Sequence, residues 1–333
     1  MPNVFTRRRV ILGAGAGLLV SQAGLAQQAR KIPRVGVLHP GLPPPSPVLY
    51  LLTAFHKGLR DLGYVEGQSI AFEYRYGGGK AETLPALATE LVKSKVDVLL
   101  VIGPAATAAA RAVARTTPMV VIDTQIDPVA SGLVASLAKP GGNITGLFFD
   151  FGELMGKMLG LLNESVPGLR RAAVLWDTAS GQFRSQFAAL DAAANKLSIA
   201  FDVYEWKNPT ELESVLESML KKRPHALIQL PSPNVSQASP RIAKFTVAYR
   251  LPSISIFPSF AEAGGLMSYG PDLRAFFGSI APLMDSILRG TKAGDLPIER
   301  PRAFEFVVNK ATAKALALRI PNAVLIQATR VIE

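Results

Sequence analysis

The feature that most constrains this chain is a steady alternation of short apolar runs with helix-length amphipathic stretches, from Arg34 almost to the end. Residues 34–38 read as a buried strand, 48–62 as a helix stopped by Gly63, and 69–76 as an alternating strand that ends at Gly77, Gly78 and Gly79. A helix at 81–94, a strand at 96–102, an alanine-rich helix at 105–115 and a strand at 119–122 follow. After the turn Pro140-Gly141-Gly142-Asn143 the pattern restarts. Strands are predicted at 144–149, 171–176, 200–206, 226–230, 253–257, 266–269 and 304–308; helices are predicted at 153–166, 183–197, 210–222, 240–249, 273–288 and 311–317. Continuous apolar runs bounded by turn residues and separated by helices are what strands buried on both faces look like, in parallel sheets with helices on either side. Two such series in succession predict an α/β protein of two Rossmann-like lobes.

The first residues read as an address. Arg7, Arg8 and Arg9 precede an apolar, small-residue run over 10–25 that closes on Gly24-Leu25-Ala26, with Gln27 next. That is the build of a secretory signal peptide over residues 1–26. The run is shorter than the roughly 20 residues that span a bilayer. Thr6-Arg7-Arg8-Arg9-Val10-Ile11 fits a twin-arginine pattern, which favours the Tat route over Sec and a periplasmic destination; an uncleaved N-terminal anchor is the alternative. The chain has no cysteine, which excludes disulfides, thiolate chemistry and a lipid anchor on a cysteine. The formal charge is +11, and the leader arginines supply three of it. The remaining basic residues are dispersed, with no dense block of the kind a nucleic-acid partner requires.

Chemical motifs are scarce. The glycines of residues 13–17 lie inside the leader, without the preceding strand a dinucleotide fingerprint needs. Gly77-Gly-Gly-Lys80 lacks the upstream glycine of a phosphate loop, and Ala81 stands where Ser or Thr is required. There is no G-x-S-x-G elbow. The three histidines, His39, His56 and His225, lack metal-ligand spacing. His56 reads as the surface of a helix, His225 as a packed residue at a strand start, and His39 as the one near a strand end. No metal and no cofactor are expected. An enzyme whose groups converge only in space stays open.

In open parallel sheets, ligands bind beyond the carboxyl ends of the strands, near helix N-termini. That rule selects His39, Pro40 and Gly41 after the first strand, and Gly103, Pro104, Ala105 and Ala106 after the third. Pro104 suits a first helical position, and the N–H groups of Ala105 and Ala106 would then face an anionic group. After the next strand come Asp123, Thr124, Gln125 and Asp127, with Asp127-Pro128 reading as a helix N-cap. In the second series the selected residues are Asp177, Thr178, Ala179 and Ser180, then Pro231, Ser232, Pro233 and Asn234. Phe149, Asp150, Tyr269 and Asp272 complete the set as an aromatic wall with a few polar groups, the make-up of a small-molecule cleft.

Several stretches, in order, resemble one family. They are Ile32-Pro-Arg-Val-Gly-Val-Leu38, Phe55-His-Lys-Gly-Leu-Arg-Asp-Leu-Gly-Tyr-Val-Glu-Gly-Gln68, Asp127-Pro-Val-Ala-Ser-Gly-Leu-Val134, Ala138-Lys-Pro-Gly-Gly-Asn-Ile-Thr-Gly146, Gly264-Gly-Leu-Met-Ser-Tyr-Gly-Pro-Asp272 and Val331-Ile-Glu333. The chain is similar to the ABC-transporter substrate-binding proteins of the tryptophan/tyrosine-binding-like group. The resemblance implies a periplasmic-binding-protein type I fold, in which three crossover segments join two lobes around a ligand cleft. The crossings are expected near 143–149, 257–265 and 296–302. One lobe would then comprise 32–143 plus about 258–295, the other 144–257 plus about 296–333. It implies a monomeric carrier, not an enzyme, that binds a small organic solute (an amino acid or aromatic compound) by hinge closure and docks on a membrane permease. A sensory module and a periplasmic α/β enzyme are the alternatives. Relatives carry Gly-Thr-Pro-Ala where this chain has Gly103-Pro104-Ala105, so a hydroxyl available to a ligand is missing at Gly103.

Overall fold

Apolar residues that alternate in facing are buried on both sides of each strand, and the helices between them supply the two covering layers. A computed structural model describes residues 31–43, 50–123, 127–149, 151–178, 184–207 and 209–333. The leader therefore lies outside the described residues. In chain order the first lobe opens with β1 (Arg34–His39), α1 (Tyr50–Asp61), β2 (Ala71–Tyr76), α2 (Leu84–Lys93), β3 (Val98–Ile102), α3 (Pro104–Val113), β4 (Met119–Asp123) and β5 (Ile144–Phe148). The second follows with α4 (Phe151–Ser165), β6 (Arg171–Asp177), α5 (Arg184–Leu197), β7 (Ala200–Trp206), α6 (Leu212–Leu220), β8 (Ala226–Gln229), α7 (Pro233–Gln237), α8 (Ser239–Ala248), β9 (Ser253–Ser255), α9 (Pro258–Glu262) and β10 (Met267–Pro271). The chain then runs through α10 (Leu273–Gly278), α11 (Ile280–Leu288), β11 (Ile298–Glu299), β12 (Phe304–Asn309), α12 (Lys310–Ala315), α13 (Asn322–Leu325) and β13 (Arg330–Ile332).

One sheet has the order β11-β5-β4-β3-β1-β2, the other β13-β12-β10-β9-β8-β6-β7. All pairs in the first are parallel. In the second only the β10–β12 pair is antiparallel. The pleat divides the first sheet cleanly. Val35, Val37, Val98, Leu100, Val120 and Ile122 point into one core, and Leu38, Leu99, Val101, Met119 and Val121 into the other. The first of these cores continues into the second lobe through Phe149, Leu154 and Met155.

The sheet orders locate the passages between lobes. The chain leaves the first sheet after β5, returns after β10 to lay α10 and α11 against α1, and leaves again between β11 and β12. This corrects the second crossing expected at 257–265. β9 and β10 are hydrogen-bonded neighbours in the second sheet, so residues 258–271 stay with that lobe and the passage falls at Pro271–Asp272. Likewise β5 pairs with β4 and β11 with β5, which keeps 144–148 and 298–299 in the first lobe. The single helix expected over 273–288 is two. Ser279 donates its N–H and its hydroxyl to the Phe276 carbonyl, at 3.2 and 2.7 Å, and closes α10 before α11 begins. The short elements α7, α9, α13, β11 and β13 had no periodicity long enough to register.

Candidate functional site

All three passages start at the carboxyl end of a strand: β5 and β11 in the first sheet, β10 in the second. The carboxyl edges of both sheets therefore border the same three passages, and the loops that follow the other strands lie along the same two edges.

On the first-lobe edge, backbone hydrogen bonds lace two loops together. Gly77 N–H donates to the His39 carbonyl at 2.8 Å, Gly78 N–H to Gly41 at 3.0 Å and Gly79 N–H to Pro40 at 2.9 Å. A Cβ on Gly77 would sit 2.8 Å from the Pro40 carbonyl oxygen, so only glycine permits this approach. The glycines that mimic a phosphate loop thus serve to fasten His39–Gly41. His39 is buried, and its Nδ1 accepts the Gly41 N–H at 2.9 Å. Burial also holds its pKa below the ordinary histidine value, so the ring is neutral with its proton on Nε2. Its ring lies 5.9 Å from that of Tyr76.

Gly103 adjoins the same loop: a Cβ built on it would be 3.8 Å from Pro40 Cγ. Its φ of +83° and ψ of 162° suit glycine and not the threonine of the family pattern. Its N–H donates to the Ile122 carbonyl at 2.8 Å. Pro104 opens α3, and no side chain caps that helix. Ala105 is exposed, whereas the Ala106 side chain is packed in the core, so Ala106 can offer only its N–H. Asp123 ends β4 opposite Phe148, but its side chain, like all of Thr124 and Gln125, lies outside the described residues. Asp127 accepts N–H bonds from Val129 and Ala130 at 2.8 and 3.1 Å, as a cap does.

On the second-lobe edge, Asp177 is 2% exposed and closes β6 opposite Trp206. Ser232 is the N-cap of α7, accepting the Val235 N–H at 2.9 Å, with Pro231 buried beside it. Asp150, Ala179 and Ser180 lie outside the described residues. Phe149, Tyr269 and Asp272 lie beside the passages between the lobes. Phe149 and Tyr269 line a cavity of about 470 Å³ with Glu153, Lys157, Arg300 and Phe304. Asp272, which caps α10 by accepting the Ala275 N–H at 3.0 Å, lines a neighbouring one of about 390 Å³. Tyr269 stacks on Phe304 at 5.8 Å and 14°. Its pKa is raised by burial and by the Glu153 carboxylate. Arg300 pairs with Glu153 at 3.2 Å across the third passage.

Tyr76, Arg300 and Phe304 escaped the sequence reading. Tyr76 had a signal, since Phe72, Tyr74 and Tyr76 recur every second residue, and the three rings form a ladder on β2. His56, expected on a helix surface, is half-buried on α1: its ring lies 4.7 Å from Phe72, and its Nε2 is 2.8 Å from the Tyr74 hydroxyl.

The sequence pattern of the family described as ABC transporter substrate binding protein matches residues 47–332. The chain belongs to that family. The tyrosine-binding protein of Clostridioides difficile strain R20291 is 26% identical over 80% of this chain and 76% of its own length. Among solved structures, a conserved domain protein from Vibrio cholerae is 25% identical with a TM-score of 0.79, covering 90% of this substrate-binding protein and 100% of that chain. A streptococcal ABC domain in complex with L-Trp has a TM-score of 0.77 at 22% identity, over 90% and 99% of the two chains. The leucine-binding protein LivK of Thermotoga maritima, at 0.58 and 14% identity, covers 78% and 83%. These likenesses place the fold among the type I periplasmic binding proteins. No described helix is long and apolar enough to cross a membrane.

Proposed function

We propose that this protein is an exported receptor that captures a small organic solute, an aromatic amino acid or a related aromatic carboxylate, between its lobes and delivers it to the permease of an ABC importer. The observation that carries the reading is the meeting of both sheets' carboxyl edges at the three passages between the lobes. A ligand between those edges touches both lobes at once, and the closed arrangement gains in proportion to the ligand's preference for it. The uncapped first turn of α3 offers N–H groups to a carboxylate. The His39 and Tyr76 rings offer an aromatic surface close by. The named binding of tyrosine and tryptophan by relatives supports the same solute class. The reading assigns the protein carriage and not catalysis.

A thermal-shift panel of amino acids, aromatic acids, nucleosides and short peptides tests it. A true solute at about 100 times its Kd adds roughly 2.7 kcal/mol, seen as a rise of several degrees. A selective rise with one class, the compound being recovered unchanged, supports the reading. A compound recovered chemically altered overturns it in favour of an enzyme.

A further inference from the structure

The interior of the second sheet carries polar groups that no atom of the described residues satisfies. β8, β9 and β10 are adjacent. Leu227 pairs with Ser253 and Ile228 with Ile254, so the next step along the register sets Gln229 beside Ser255. Ser268 in turn pairs with Ser255. Side chains alternate in facing along a strand, so Gln229, Ser255 and Ser268 form a row across three strands, and Ser253 lies on the same face two residues below. Leu227 of this face packs in the core that holds Phe260 and Ile242.

Gln229, Ser253, Ser255 and Ser268 are each 0% exposed. Both amide atoms of Gln229 and the hydroxyls of Ser253 and Ser268 lack a hydrogen-bond partner among the described residues. Ser255 has only a long bond, accepting the Phe257 N–H at 3.4 Å. Nearby, the fold satisfies a buried amide fully: Asn309 donates to the Ala261 carbonyl at 2.9 Å and accepts the Thr312 N–H at 2.8 Å. Native interiors rarely leave such groups orphaned, because each carries its full desolvation cost in a marginally stable molecule. An enclosed water meets that cost where two to four polar partners converge. Gln229 offers a donor and an acceptor, and each serine offers both. Serine is also shorter than the valine or isoleucine usual in a buried parallel strand.

We propose that Gln229, Ser253 and Ser268 form a built hydration site that holds at least one enclosed water inside the second lobe. It lies beneath the carboxyl ends of β8, β9 and β10, which lead into Leu230–Ser232, Phe257 and Asp272. The water would fasten together the three central strands whose carboxyl ends supply that lobe's share of the ligand edge. The site stands independently of which solute binds.

Crystals of the full chain diffracting beyond about 2 Å test it directly. The expected result is a water within about 2.7–3.2 Å of Gln229 Nε2 or Oε1 that also bonds a serine hydroxyl. Density with no water there overturns the proposal whatever else is found. The Gln229→Met variant adds a sign. With water bound, losing the amide strips the site of its central partner, and the melting temperature falls by about 2–4 °C. In a dry interior the thioether relieves two orphan groups, so a rise overturns the proposal. If the variant does not fold, the wild-type density decides alone.

Discussion

The two sheets follow one plan but fill their interiors differently. In the first, β3 and β4 are Val-Leu-Leu-Val-Ile and Met-Val-Val-Ile-Asp. Its fully buried hydroxyl, Thr145 on β5, is satisfied within the lobe, donating to the Leu296 and Pro297 carbonyls at 3.0 Å each. In the second, β8, β9 and β10 put Gln229 and three serines on one buried face. The first interior is thus defined by shape and by close backbone approach, the second partly by polar groups. An apolar interior responds to volume, a polar one to the loss of partners. The two lobes should therefore fail in different ways.

The sharpest test of the first lobe is Gly146→Ala. Gly146 has a φ of +149°, and a Cβ there would land on the Val121 carbonyl oxygen of the paired strand. The neighbour is backbone and cannot swing aside. The substitution must part β4 from β5 beside the first passage, at a cost on the order of 3 kcal/mol or more. A chemical melt reads this directly. A loss below about 1 kcal/mol would mean that the first sheet tolerates the movement, and the contrast between the lobes would weaken.

A smaller effect separates the lobes by pH. Burial lowers the pKa of His39 in the first lobe, and desolvation is also the largest influence lowering that of His56. The folded state therefore binds fewer protons than the unfolded one near the ordinary value of 6.5. The stability these rings contribute is complete above pH 6.5 and declines as the pH falls below it. Protonation of Nδ1 would also break the bond from Gly41. Melting temperature should drop on acidification from pH 7 and the slope should be shallower in His39→Gln, since His56 still contributes. An unchanged slope would remove His39 as a determinant of the first-lobe edge.

The legible part of the molecule was what local pattern encodes. The runs at 34–38, 96–102 and 119–122 are apolar apart from Arg34 and Asp97, and each holds a central strand. The strand-end rule drew His39, Pro40, Gly103 and Pro104 from separate loops that the fold does bring side by side. What stayed hidden depends on pairing. The Gly264-Gly265 turn has the composition of a crossing, yet a Cβ on Gly265 would overlap the Phe260 ring, so it is a tight return within one lobe. Tyr76 joins His39 only through the β1–β2 register. Arg300 and Phe304 join Phe149 and Tyr269 only where two passages meet. No property of those residues in sequence announces the encounter.

The mildest test concerns helix ends in the left-handed region, where both lobes mix glycine with other residues: Lys95 follows α2 in the first at φ of +56°, and Gly168 follows α4 in the second at +71°. After α1 and α11 the first lobe places Gly63 and Gly290 at φ of +88° and +101°. After α6 and α8 the second places Arg223 and Arg250 at +49° and +51°. Both arginines are exposed, and neither side chain makes a hydrogen bond or ion pair among the described residues. A side chain in this left-handed region costs about 1 kcal/mol or slightly more. Glycine removes that cost but adds disorder to the unfolded chain, which takes back about half. Arg223→Gly and Arg250→Gly should each stabilise by about 0.5 kcal/mol, while Gly290→Ala destabilises by about 1 kcal/mol. If the arginine variants lose stability instead, the long side chains are covering apolar surface with their stems, and the second lobe's reliance on polar residues extends from its interior to its helix ends.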